Sequence, residues 1–380
     1  MAVAAATDMY SSQKPITLAT PEGEGIDWGM LKKIGGLFAA RQLAPTTGGP
    51  TNSLLLRKVE MSVLPELEAF LELAEFSRMT GKTQPMHALT PVQARSEFEQ
   101  SASVFDVPLT AVDSYDVRIP ARDGFSVSAR LYRRPGLEVG PLPVVVYFHG
   151  GGYVIGSLDS HDSLCRRLAA AGDFALLAVN YRLAPEWVFP TAVHDACDAV
   201  NWLLREGRQH GLDASRVAFA GDSAGGTLST VLSILAVQEP QEVAIVPRAQ
   251  VLLYPVTDGS CKRDSHQRYA EGYLLETATM DWFYGHYAKG EQALQDWRIS
   301  PLLATDVSGL APALVYLAGY DPLYDEGLAY ARKLEQAGND VLLLEEPGMT
   351  HDFMRMSGLL EQVPEIHGRV AGWLDKRLAK

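Results

Sequence analysis

From about residue 113 the chain alternates short, almost wholly apolar runs with longer segments of helical period. The apolar runs fall at 144–148, 175–179, 217–220, 251–253, 313–317 and 341–344. Helical stretches lie between them at 161–171, 190–206, 224–237 and 325–337. A run without a polar face belongs to a strand covered on both sides, and regular alternation with helices predicts a mostly parallel sheet in an α/β domain. Ahead of these runs, SYDVRIP and FSVSARLYR flank the turn signal ARDG with period-two alternation, which predicts a hairpin.

The first 110 or so residues carry a different pattern. Trp28, Leu31, Ile34, Leu37 and Phe38 recur at spacings of three and four, as do Leu64, Leu67, Phe70, Leu71, Leu73 and Phe76, so two amphipathic helices are expected. The stretch APTTGGPTNS between them reads as a loop. A further helix should start at Thr90-Pro91, with Thr90 as N-cap and Pro91 in the first helical position. Residues 258–298 interrupt the strand rhythm with a polar piece and then an aromatic helix, ETATMDWFYGHYAKG. The expected organisation is a helical cap region over 1–110, an α/β domain over 111–257 and 299–380, and a cap insertion over 258–298, packed with the N-terminal helices.

Composition narrows the function classes. The 380 residues are 47% hydrophobic, which excludes a disordered chain. With 33 Lys+Arg against 46 Asp+Glu the net charge is −13, and such a surface repels phosphate backbones, so nucleic acid is not the expected partner. Cys165, Cys197 and Cys261 lie far apart with no CxxC pair, which fits a reducing compartment. MAVAAATDMY lacks a basic, long-apolar leader pattern, and no stretch approaches about 18 uninterrupted apolar residues. The expectation is a cytoplasmic protein without membrane insertion.

The candidate chemistry begins in VAFAGDSAGG, residues 217–226, where an apolar run ends in a G-x-S-x-G turn and a helix follows. By itself the pentapeptide also fits a tight turn with a helix-capping serine. In the catalytic reading Ser223 is a nucleophile, Gly221 and Gly225 are small because the turn is strained, and the Ala224 N–H faces a developing oxyanion. A serine hydroxyl needs a base and further donors. After the run at 144–148 comes His149-Gly150-Gly151-Gly152, whose backbone can approach a substrate closely; no Lys-Ser/Thr follows to suggest a phosphate loop. After 313–317 comes Asp321, and after 341–344 comes His351, so nucleophile, acid and histidine stand in the required chain order. Asp325 and Glu326 suit the first turn of the next helix, and Asp352, adjacent to His351, should point away from it. His367 reads as a surface residue of the C-terminal helix.

With these residues in place the chain closely resembles the bacterial hormone-sensitive-lipase-like esterases (family IV carboxylesterases) of the α/β-hydrolase superfamily, from roughly residue 63 to the C-terminus. The matching segments are HGGGYVIGSLDSHD, YRLAPE, GDSAGG, AEGYLLE with MDWFYGHY, SPLLA and AGYDPLYDEG with the late histidine. The resemblance implies an α/β-hydrolase fold with a helical cap and a Ser223–His351–Asp321 triad. It also implies an oxyanion hole of the Gly151, Gly152 and Ala224 amides, and the GDSAG subtype marked by Asp222. It implies a carboxylesterase that hydrolyses short-chain acyl esters through an acyl-enzyme, with no cofactor or metal, a small ester as partner, and a homodimer as the suggested assembly. Amidase or lactonase chemistry uses the same triad; a ligand-binding receptor on this scaffold would have lost the histidine. Two departures stand out: Asp352 where the family often has Gly, and a first 60 residues longer than the usual cap. Arg182 and Glu186 are expected to pair beneath the site and His161 to start a helix, while His194, Asp195 and Asp198 lack the further ligands of a metal site. Trp28, Phe38, Trp282, Phe283 and Tyr287 are expected in the cap core.

Overall fold

The apolar runs become the strands of a single sheet. In the computed structural model, which describes residues 62–105, 111–137 and 140–379, the strands are β1 (Asp113–Pro120), β2 (Ser126–Arg133), β3 (Leu142–Phe148), β4 (Ala175–Asn180), β5 (Leu212–Asp222), β6 (Ala249–Leu253), β7 (Ala313–Tyr320) and β8 (Val341–Thr350). Their order is β1-β2-β4-β3-β5-β6-β7-β8. β1 and β2 form the expected hairpin, β2 pairs antiparallel with β4, and all later pairings are parallel. The helices are α1 (Pro65–Met79), α2 (Pro91–Phe105), α3 (Asp162–Ala171), α4 (Thr191–Glu206), α5 (Ala224–Gln238), α6 (Asp264–Arg268), α7 (Thr277–Tyr287), α8 (Tyr324–Gln336) and α9 (Val363–Leu378). The expected helix around 28–38, with Trp28 and Phe38, lies outside the described residues.

The two-residue period of a strand sorts the core into two layers. Val144, Val146 and Phe148 of β3 face α4 and α5, while Val145 and Tyr147 face α3 and α9. α5 is buried from Ala224 to Ala236, so a helix without a polar face sits where solvent never reaches it. α2 starts as its sequence requires: the Gln93 N–H donates to Thr90 Oγ1 at 3.3 Å and the Thr90 N–H to Gln93 Oε1 at 3.0 Å, a reciprocal cap.

Three expectations fail. β8 is the last strand of the sheet and only partly covered, with Leu342 38% exposed, because among the described residues no further strand pairs beyond it. Arg182 and Glu186 do not pair. The Arg182 guanidinium binds the fully buried Asp195 of α4 at 2.6 Å and Asp123 at 2.6 Å, and packs against the rings of Phe125 and Trp187. Glu186 instead accepts from Arg95 of α2 at 2.6 Å, tying that helix to the α/β body. His367 is buried, its Nε2 donating to the Met354 carbonyl at 2.9 Å, because it lies on the face of α9 that covers the sheet.

Candidate active site

Four loops leave the carboxyl ends of parallel strands and meet at one place, as open α/β sheets arrange their sites. Ser223 follows β5, His149 follows β3, Asp321 follows β7 and His351 follows β8. The Ser223 backbone is strained, at φ 54° and ψ −121°, a conformation that costs a non-glycine residue on the order of 1–3 kcal/mol. Its N–H donates to the Leu253 carbonyl at 2.8 Å, and α5 begins at Ala224 with first-turn N–H groups that have no helical acceptor.

The small residues of the turn are required by its neighbours. A Cβ on Gly225 would lie 1.9 Å from the Phe148 carbonyl oxygen, and one on Gly221 would lie 2.4 Å from the Gly225 carbonyl. Backbone on both sides cannot retreat without moving strands. A Gly225→Ala change should therefore destabilise the protein by about 3 kcal/mol. Urea unfolding checks this as a lower midpoint at unchanged slope.

His351 and Asp321 form a buried pair, Nδ1 to Oδ2 at 2.7 Å, and the other Asp321 oxygen accepts the Leu323 N–H at 2.8 Å. The Tyr254 ring stands edge-on to the imidazole at 4.7 Å. Burial disfavours the charged imidazole, but the Asp321 carboxylate outweighs it by charge and hydrogen bond, with Asp352 and Asp222 adding, so the His351 pKa lies above the ordinary histidine value. Asp352, at φ 69°, turns its carboxylate to Arg355 at 2.7 Å. His149 cannot substitute as a base: burial and the neighbouring His161 hold its pKa down to about 3, and its Nδ1 donates to the Gly150 carbonyl at 2.8 Å.

The glycine loop is pressed against this centre. Gly151 and Gly152 have φ of 113° and 57°, and a Cβ on Gly152 would enter the Phe283 ring at 2.2 Å. Ser223, His351, Gly151 and Gly152 all open onto one cavity of about 250 Å³. The apolar side chains of its far wall come from α1 (Phe70, Leu73, Ala74), α2 (Phe98, Phe105), the segment leading into α7 (Leu274, Leu275) and α7 itself (Phe283). An ion pair between Arg78 of α1 and Glu276, the residue that starts α7, joins the two sides of this roof.

Sequence reasoning placed Ser223, Asp321, His351, Gly151, Gly152 and Ala224, and the structure brings all six to this centre. It missed others. Asp222, read only as a subtype marker, accepts from Tyr147 and from the Gly150 N–H, and His161 starts α3 but also reaches Asp222. Phe283 is core and cavity wall at once. Glu326 stands in the first turn of α8 as expected, yet is fully buried beneath the Thr257 and Asp258 amides beside His266. His161, Asp222 and Asp352 bring ligand-type atoms within 4.8 Å of one another. Asp222 is already bonded to Tyr147 and Gly150 and Asp352 to Arg355, so the oxygens a cation would need are engaged. Asp195 and Asp198 are likewise held, by Arg182 and Arg122.

Residues 145–355 match the family model described as alpha/beta hydrolase fold. The chain belongs to this family, which is the class that the sheet and the strand-end site define. Among its relatives, ethyl acetate hydrolase of Pseudomonas putida is 49% identical over 308 residues, covering 80% of this chain and 96% of the relative. The carboxylic ester hydrolase LipN of Mycobacterium tuberculosis is 40% identical, covering 70% of each chain. A thermostable esterase from P. putida superposes with a TM-score of 0.78 at 32% identity, covering 88% of this chain and all of that one. The protein is a carboxylic ester hydrolase of the hormone-sensitive-lipase-like group. Among the described residues no helix is long and apolar enough to cross a membrane.

Proposed function

We propose that this enzyme hydrolyses short-chain acyl esters through an acyl-enzyme on Ser223. The observation that carries the reading is the 2.7 Å His351–Asp321 pair opening, with the strained Ser223, onto one cavity. Asp321 holds His351 Nδ1, which leaves Nε2 to take the serine proton. Ser223 Oγ attacks the ester carbonyl, and the oxyanion gathers the N–H groups of Gly151, Gly152 and Ala224. The imidazolium then gives its proton to the leaving alcohol. A water, deprotonated by the same nitrogen, hydrolyses the acyl-enzyme and releases the acid.

The cavity of about 250 Å³, with Phe70, Leu73, Phe98, Phe105 and Phe283 among its walls, supports a short acyl chain. The similar P. putida enzyme is named for ethyl acetate, an ester of the size such a cavity encloses. A p-nitrophenyl ester series from acetate to dodecanoate tests this, with a matched anilide and a lactone alongside. kcat/KM should peak at the acetyl to butyryl members, and faster turnover of the dodecanoate, anilide or lactone would overturn the substrate assignment.

The raised His351 pKa has a direct kinetic consequence. The base acts only when neutral, so kcat/KM should fall with acid through a midpoint above the ordinary histidine value. Asp352→Asn keeps an acceptor for Arg355 but removes one of the charges that raise this pKa. The midpoint of its pH–rate profile should move down.

A further inference from the structure

Behind Ser223 lies a second buried histidine–aspartate pair that the proposed mechanism does not use. Asp222 ends β5, immediately before the nucleophile, and is 1% exposed. Its Oδ1 accepts the Tyr147 hydroxyl at 2.7 Å and the Gly150 N–H at 3.0 Å. Its Oδ2 stands 3.3 Å from His161 Nε2, and His161 Nδ1 is 2.9 Å from Ser160 Oγ. Burial alone would raise the Asp222 pKa, but the charge and hydrogen bond of His161, with the Tyr147 hydroxyl, bring it down to about 2, so the carboxylate is ionised throughout the working range.

A buried charge is expensive and is not by itself a source of stability. Here it has a definite structural output. Gly150 immediately precedes the two amides assigned to the oxyanion hole, and its packing on Asp222 is so close that a Cβ there would lie 2.2 Å from Oδ2. The loop is also held on its far side, where the Gly151 carbonyl accepts the Val154 and Ile155 N–H groups at 3.0 Å and Gly152 packs on Phe283, but the Gly150 N–H itself is held by Asp222. The Tyr181 hydroxyl donates to the His149 carbonyl at 2.7 Å, and beyond Gly152 the chain runs through Tyr153 at φ 63°, whose carbonyl accepts the Ala184 N–H at 2.9 Å. The Asp222 carboxylate is thus the direct link between the strand that presents the nucleophile and the loop that presents the oxyanion donors. His161 braces it from α3, and the Ser160 carbonyl beside it is in turn held by Arg355 Nε at 3.0 Å.

We propose that Asp222 and His161 are positioning residues: through the Gly150 N–H they hold the amides of Gly151 and Gly152 at the distance the developing oxyanion requires. The proposal rests on the acyl-enzyme reading above. Ground-state binding depends mainly on the apolar wall, so misplacing the donors should lower kcat and leave KM nearly unchanged.

The test uses the full chain with p-nitrophenyl acetate and a trifluoromethyl ketone as oxyanion-forming inhibitor. Asp222→Ala should lower kcat by roughly 10- to 100-fold, with KM within about 3-fold, and should weaken the ketone by the same factor as kcat/KM. Asp222→Asn retains an acceptor for Gly150 and should recover most of the lost rate. His161→Ala should cost less, and in the Asp222→Ala background it should cost almost nothing more, because both act through one bond network. Unchanged kcat in Asp222→Ala would overturn the proposal, as would KM rising in step with the fall in kcat, or additive losses in the double variant. If Asp222→Ala does not fold, the Asn and His161 variants decide it: an Asn variant as slow as Ser223→Ala, or a His161→Ala variant altered only in KM, counts against it. Ser223→Ala separates the two readings: hydrolysis surviving there sinks the acyl-enzyme assignment, while its loss combined with unaffected Asp222 variants sinks only the positioning role.

Discussion

Ser223→Ala should remove ester turnover by about 10⁶-fold while the protein stays folded, since on the proposed mechanism Ser223 is the nucleophile and a triad serine acts as part of a unit. The expected fold retention follows from the local structure. Ser223 sits at a backbone geometry that alanine tolerates no worse, and its amide bond to the Leu253 carbonyl survives the change. Unfolding midpoints of variant and parent should coincide, and p-nitrophenol release by the purified variant should fall to background. Hydrolysis at even a hundredth of the parent rate would mean that a different nucleophile does the work.

Asp321→Asn should be nearly as damaging, at about 10⁴-fold in kcat. The hydrogen bonds determine how. Asp321 Oδ1 accepts the Leu323 N–H at 2.8 Å, and an asparagine carbonyl takes that place, which turns its NH₂ toward His351 Nδ1. The imidazole must then accept on Nδ1 and carry its proton on Nε2, the nitrogen that should receive the serine proton. The same change removes the carboxylate that raises the His351 pKa, so the residual activity should titrate at lower pH than the parent. A pH–rate profile of the variant measures both effects; a small loss with an unshifted midpoint would place the orienting acid elsewhere.

The residues proposed to react are legible because each follows closely on an apolar run. A strand covered on both faces leaves a compositional trace, and the first polar residue after it stands at a strand end. Ser223, Asp321 and His351 inherit their positions that way. The failures share a cause: pairings between residues distant in sequence. Arg182 and Glu186 stand four apart, yet Arg182 turns to Asp195 on α4 and Glu186 to Arg95 on α2. His367 depends on which face of α9 meets the sheet, and the burial of Glu326 on the two consecutive amides of Thr257 and Asp258 arriving from another loop. β8 has the apolar composition of an inner strand but occupies an edge, and strand order is written in no local pattern. Asp222 was visible as a residue type, but its hold on Gly150 exists only once β3 and β5 lie side by side.

The helix that follows Ser223 is buried almost throughout. α5 opens with Ala-Gly-Gly, a poor start for a helix on its own, and every side chain from Ala224 to Ala236 is enclosed by other parts of the protein. Ser223 therefore acquires its geometry only when the surrounding sheet has assembled and α5 has been pressed into it. Evolution can rebuild the roof to admit new esters without touching this step, but it cannot reach a partly folded intermediate that already cleaves them.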